Sequence, residues 1–164
     1  MVQQNRKELY VNRSKTAVGR IGRTNDPDDV YYRYFTTLIT DAFEVKKAFP
    51  SMFVIYYLRT SGITPAECPT FTSPSEVMES FFVTNSLFLT PEESDQLEKG
   101  DLIFFGDNPT RIGIINRIGT EYIHFVTLRT ETTLDIYSVQ YTMILKSAAQ
   151  IKGYGKIEPK DSWG

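Results

Sequence analysis

The sequence predicts an α+β domain, and three observations carry that prediction. Helical periodicity fills the first half of the chain, strand-like alternation replaces it after Leu97, and the strand segments follow one another closely enough to pair as antiparallel neighbours. With 164 residues, 41% of them hydrophobic and 23% charged, the chain suits one compact domain able to bury a continuous core. The pattern places that domain at residues 1–157 and leaves 158–164 as a loose tail, with Trp163 a candidate docking residue.

In the first predicted helix, Leu9, Ala17, Val18 and Ile21 fall close to one face, and Gly22 offers a stop. Asp26 then caps a second helix with Pro27 in its first turn, and Val30, Tyr31, Tyr34, Phe35 and Leu38 recur at three and four spacing. Residues 49–61 (FPSMFVIYYLRTS) are apolar nearly all round, open with Pro50 and close at Gly62, which describes a short central helix buried on most sides. Ser73, Pro74 and Glu76 form the capped start of a fourth helix through Met78 to Phe82. About five strands follow, at 102–105, 112–116, 122–127, 134–139 and 151–154, with Gly119 and Thr120 turning the second into the third.

A formal charge of -2 gives no overall field for phosphate backbones, although the stretch before Asn25 is locally basic, so nucleic acid is not expected as a main partner. One cysteine, Cys68, excludes an internal disulfide and a multi-cysteine metal cage. The Asp26, Asp28, Asp29 run lacks the glycine and distal glutamate of a calcium loop, and Gly19 to Gly22 is too short for a phosphate loop, so neither metal nor cofactor is expected. Asn12-Arg13-Ser14 matches a glycosylation sequon but falls within a predicted helix. The polar residues from Met1 to Lys7 and the lack of a long apolar run predict neither signal peptide nor membrane span. The expectation is a chain made in the cytoplasm, reaching the outside only by another export machine or by lysis.

Residues 96–115 (QLEKGDLIFFGDNPTRIGII) resemble a stretch in which a Gly-Asp pair opens a strand and a His-Val-Gly-Ile strand follows; residues 49–63 (FPSMFVIYYLRTSGI) resemble a central helix that usually starts at a Trp-Cys or Asp-Cys and closes at Gly-Ile. In order and spacing both are similar to the NlpC-type and CHAP-type cell-wall peptidases and amidases, over residues 11–154. The resemblance implies a papain-like fold in which the central helix N-terminus faces the sheet and both contribute catalytic residues. There a helix-start cysteine is held as thiolate by unpaired N–H groups and the helix dipole.

Matched residue by residue, the cysteine position falls on Pro50, which has no nucleophile, and the histidine of the His-Val-Gly-Ile strand falls on Arg111, which accepts no proton at working pH. The third polar residue comes near His124, one residue out of step. The implied reading is a catalytically inactive relative of peptidoglycan hydrolases, a binding or structural module for a protein or a peptidoglycan-derived peptide, at home by analogy in a phage particle or contractile injection system. Arg111, Ser51 and His124 are its candidate binding residues, with Arg111 beside the helix N-terminus making a carboxylate site. Two alternatives stand beside it. One is an active amidase or endopeptidase using Ser51 or Cys68 with His124. The other is an inhibitor or immunity protein built on the same fold. A satisfied core histidine, a buried small cysteine and a helix-start proline are the purely structural readings of His124, Cys68 and Pro50.

Overall fold

The computed structural model describes residues 5–40, 42–107, 109–131 and 133–159; Trp163 and the rest of the tail from residue 160 lie outside them, as do the first four residues. Helices α1 (Arg6–Thr16), α2 (Val30–Thr36) and α3 (Val45–Thr60) come early, with β1 (Ile21–Arg23) between the first two. A one-turn helix α4 (Pro74–Val77) runs on as π-helix over Met78–Val83, and β2 (Phe88–Leu89) and a 3₁₀ segment (Pro91–Gln96) follow. Strands β3 (Leu102–Phe105), β4 (Arg111–Ile118), β5 (Tyr122–Thr130), β6 (Ile136–Leu145) and β7 (Ile151–Gly155) complete the chain. The class is α+β, and every strand pairing is antiparallel.

Among the described residues the sheet has seven strands in the order β1-β6-β5-β4-β3-β7-β2, not the five expected. Both additions are edge strands too short to show alternation, three and two residues long. Ile21 and Gly22, expected in and after the first helix, belong to β1, where Ile21 pairs with Ser138 and Gly22 with Tyr137. A Cβ on Gly22 would lie about 2.5 Å from the Tyr137 ring, so the glycine is there for close approach and not as a helix stop.

Asp29, not Asp26, caps α2: its carboxylate accepts the Tyr31 and Tyr32 N–H groups, while Asp26 closes a turn onto Asp28 and Pro27 precedes the helix. The central helix starts four residues earlier than its apolar run, because Val45, Lys46 and Lys47 wind the first turn without adding to that run. Pro50 therefore lies inside α3, in the second turn, instead of opening it. The far end is as expected, the N–H groups of Gly62 and Ile63 closing onto the Arg59 and Leu58 carbonyls. Ser73 caps α4 as expected by accepting the Glu76 N–H.

Alternation along the strands builds two cores. Ile112, Ile114, Val126, Leu128, Tyr137 and Val139 face α1, α2 and α3, whose Tyr10, Phe35, Phe49, Phe53 and Leu58 are all fully buried against them. The intervening Ile103, Phe105, Ile115, Phe125 and Ile151 form a second cluster on the opposite face with Leu97 and Tyr154. Each fully buried large side chain contributes about 1.5–3 kcal/mol by leaving water.

One carboxylate ties these parts together. Asp101 is fully buried at the mouth of β3. Its Oδ1 accepts from Lys7 Nζ of α1 at 2.8 Å and from the Ile157 N–H at 3.1 Å; its Oδ2 accepts from the Glu98 N–H at 2.8 Å and from Lys156 Nζ at 3.3 Å. The preceding Gly100 has φ +101°, and a Cβ there would meet the Lys7 stem at about 2.7 Å, so the Gly-Asp pair is set by packing and hydrogen bonding.

Asp101→Ala should cost about 3–5 kcal/mol in urea unfolding, because it strands the Lys7 ammonium and two amides in the interior; a loss under about 1 kcal/mol would show that the node is dispensable. Gly22→Ala should cost about 1–3 kcal/mol by the same measurement through overpacking on Tyr137, and an unchanged midpoint would mean that β1 shifts freely.

Candidate functional site

The residues singled out by the resemblance are dispersed. Ser51 is fully buried in α3 and its hydroxyl donates to the Thr72 carbonyl at 3.1 Å. Cys68 is fully buried in the loop after α3, held there by Arg59, whose guanidinium donates to the Cys68 and Ile63 carbonyls. Burial pushes the Cys68 thiol up to about 12 despite the opposing Arg59 charge, so it stays protonated at neutral pH, and its Sγ points to the Pro69 carbonyl at 3.9 Å.

Arg111 starts β4 with the opposite parity to Ile112, so it points to the face away from α3. There its guanidinium lies 4.8 Å over the Phe105 ring, and burial, then the neighbouring Arg129, push its pKa down. The expected carboxylate site between Arg111 and the start of the central helix is thus not formed: strand parity sends the guanidinium to the other side of the sheet.

His124 pairs with Arg117 across the β4–β5 ladder, beyond a bulge at Asn116. The six residues from Arg111 to Arg117 span roughly 20 Å, so Arg111 and His124 stand at opposite ends of β4. His124 is half-buried, with Tyr141 as its ring neighbour at 5.7 Å. Ser51, Cys68 and His124 therefore engage separate partners and share no hydrogen bond.

What the fold does bring together is a tyrosine and arginine cluster that the sequence did not single out as a site. The Tyr137 hydroxyl of β6 donates to the buried Asp29 carboxylate and accepts from Arg20 Nε at 3.0 Å. The Tyr31 and Tyr57 hydroxyls meet at 2.9 Å, and the guanidinium groups of Arg20 and Arg13 lie 5.4 Å and 5.7 Å over those two rings. Burial pushes the Tyr137 phenol up to about 12, Asp29 adds to the shift and Arg20 opposes it. Burial, then the Tyr57 contact, moves Tyr31 higher still. A signal was present in the clustering of Tyr31, Tyr32, Tyr56 and Tyr57, but the partners Arg20 and Tyr137 are 117 residues apart in sequence. The cluster is self-satisfied: Asp29 caps a helix and receives a phenol, and the arginines cover aromatic faces. Such a network fixes α2 and β1 against β6 and offers no free base.

Among the described residues, no group of three or more His, Cys, Asp or Glu is placed to hold a metal ion, and no helix is long and apolar enough to cross a membrane. A surface depression of about 420 Å³ is lined by Asp28, Val30, Arg33, Tyr34, Thr37 and Tyr56 and meets none of the predicted site residues.

The raised thiol and phenols fix the alkaline side of the stability profile. Cys68, Tyr137 and Tyr154 ionise near 9 or 10 when unfolded and near 12 when folded, so between those values the unfolded chain holds fewer protons and stability falls as pH rises. The urea midpoint should stay level up to about pH 8.5 and drop steadily above about pH 9; a level profile to pH 11 would show that these groups ionise alike in both states. No known protein-family model matches this chain, and a search of curated proteins finds no significant match.

Proposed function

We propose that this protein is a non-catalytic module related to the NlpC-type and CHAP-type cell-wall hydrolases, retained for binding or assembly with a protein or peptide partner. Support for the papain-like part of this reading comes from α3 packing on β4 and β5 through Phe49, Phe53, Ile114 and Val126, and from the β3 to β6 meander opened by Gly100 and Asp101. The observation that carries the non-catalytic part is the state of the family positions. Pro50 lies within α3, Arg111 is laid over Phe105, and the substitute nucleophiles Ser51 and Cys68 are fully buried and held by backbone carbonyls. Thiol catalysis needs an accessible thiolate beside a base, and burial drives Cys68 the other way.

A retained fold without its chemistry points to a scaffold, and the placement in a phage particle or contractile injection system is an analogy to the settings in which such relatives occur. Incubation with intact peptidoglycan and soluble muropeptides, followed by mass spectrometry of the products, should give no cleavage from the native protein or from His124→Ala and Cys68→Ala. Product that disappears in either variant would establish a rebuilt hydrolase and overturn the proposal.

A further inference from the structure

The outer edge of β6 is only partly covered. Strand β1 pairs with residues 136–138, and Gly19 and Arg20 close the backbone of Val139. Tyr141, Met143 and Leu145 share the outward parity of Val139, so their N–H and C=O groups point away from β5, and among the described residues these groups have no backbone partner except the Leu145 carbonyl, which accepts the Ala148 N–H at 2.9 Å. Their side chains continue the helix-packed face of the sheet beyond the helices and are exposed by 38%, 56% and 44%. In the next strand, Tyr122 and His124 stand beside Leu145 and Met143 on the same face and widen the patch.

This edge carries none of the devices that keep strands apart. Residues 140–145 (QYTMIL) contain no charge, no proline and no bulge. At the opposite margin of the sheet, β2 is two residues long and too short to template another chain. The unprotected stretch is also bounded at both ends: β1 closes it at Val139, and the chain turns away after Leu145.

We infer that residues 141–145 of β6 pair antiparallel with the same residues of a second copy of this chain, joining two sheets about a two-fold axis at Met143. In this register the chain of each copy turns away after Leu145 just where Gly19 and Arg20 of the other copy begin to cover Val139, so the obstacles at the two ends are related by the same axis. In this register Met143 faces Met143, Tyr141 faces Leu145, and Lys146 faces Gln140, so no like charges meet. The groups left free exchange about four backbone hydrogen bonds, two between the facing Met143 residues and one from each Leu145 N–H to the facing Tyr141 carbonyl. The short far edge at β2 stops propagation, which makes the assembly a closed dimer and not a filament. This inference does not rest on the proposed function, since an active hydrolase could dimerise in the same way.

Sedimentation of the full chain over a wide concentration range should show a reversible monomer–dimer equilibrium. Met143→Lys, which puts two ammonium groups face to face on the axis, should shift it fully to monomer; the thermal midpoint of that variant shows whether it folds. Facing residues of a hydrogen-bonded pair have Cα atoms about 5.5 Å apart, within disulfide reach of about 4.4–6.8 Å. Met143→Cys should therefore form a covalent dimer under mild oxidation, while Val83→Cys, exposed on the remote π-helical turn, should not. A monomer at every concentration with no Met143→Cys cross-link overturns the inference, including where a foreign peptide strand binds the edge instead. A dimer that survives Met143→Lys and leaves Met143→Cys uncrosslinked overturns it as well.

Discussion

The interior carboxylate of Asp101 is the constraint on which the arrangement of this protein depends. An isolated buried carboxylate would cost several kcal/mol, and it is tolerated only because four donors converge on it. Those donors come from α1, from the turn entering β3, and from the segment after β7, so satisfying one charge fixes the first helix, the middle of the chain and its last described residues together. A second ion pair works in parallel: Arg6 grips Glu67 through two hydrogen bonds of 2.8 Å and holds the same helix to the loop after α3. A short amphipathic helix such as α1 has little stability of its own, and these two ties give it a fixed place on the sheet.

With those anchors set, the sheet divides the molecule by parity. One face is sealed by three helices and the other by a smaller apolar cluster around Phe105, Phe125 and Tyr154. Parity also decides the fate of the site residues. Ile112 and Ile114 must face α3, so Arg111 is sent to the far side, and the Asn116 bulge carries His124 out of line with it. The same alternation extends beyond the helices and leaves Tyr141, Met143 and Leu145 exposed on a strand edge that, among the described residues, no other strand pairs at these positions.

The chemistry follows from that division. The candidate nucleophiles Ser51 and Cys68 are inside, with their hydrogen-bonding capacity directed at backbone carbonyls, and Arg13, Arg20 and Arg111 lie over aromatic rings. What faces solvent with unmet potential is main chain and apolar surface at β6.

The sequence by itself determined the class and most of the ladder. Strand 102–105 and the Gly119 hairpin were legible because each rests on local alternation and turn chemistry, and Gly62 and Ser73 marked their helix ends for the same reason. The start of α3 was not legible, since Lys46 and Lys47 interrupt its first turn and the stretch read as the helix begins only at Phe49. Neither were β1 and β2, which exist because neighbouring strands offer them hydrogen bonds and not because three or two residues favour extension. The role of Asp101, the side on which Arg111 emerges, the pairing of Arg20 with Tyr137 and the open edge of β6 were decided by tertiary structure alone. Each depends on which distant residues the sheet brings into register, and a one-residue bulge is enough to change that register while leaving the local pattern intact.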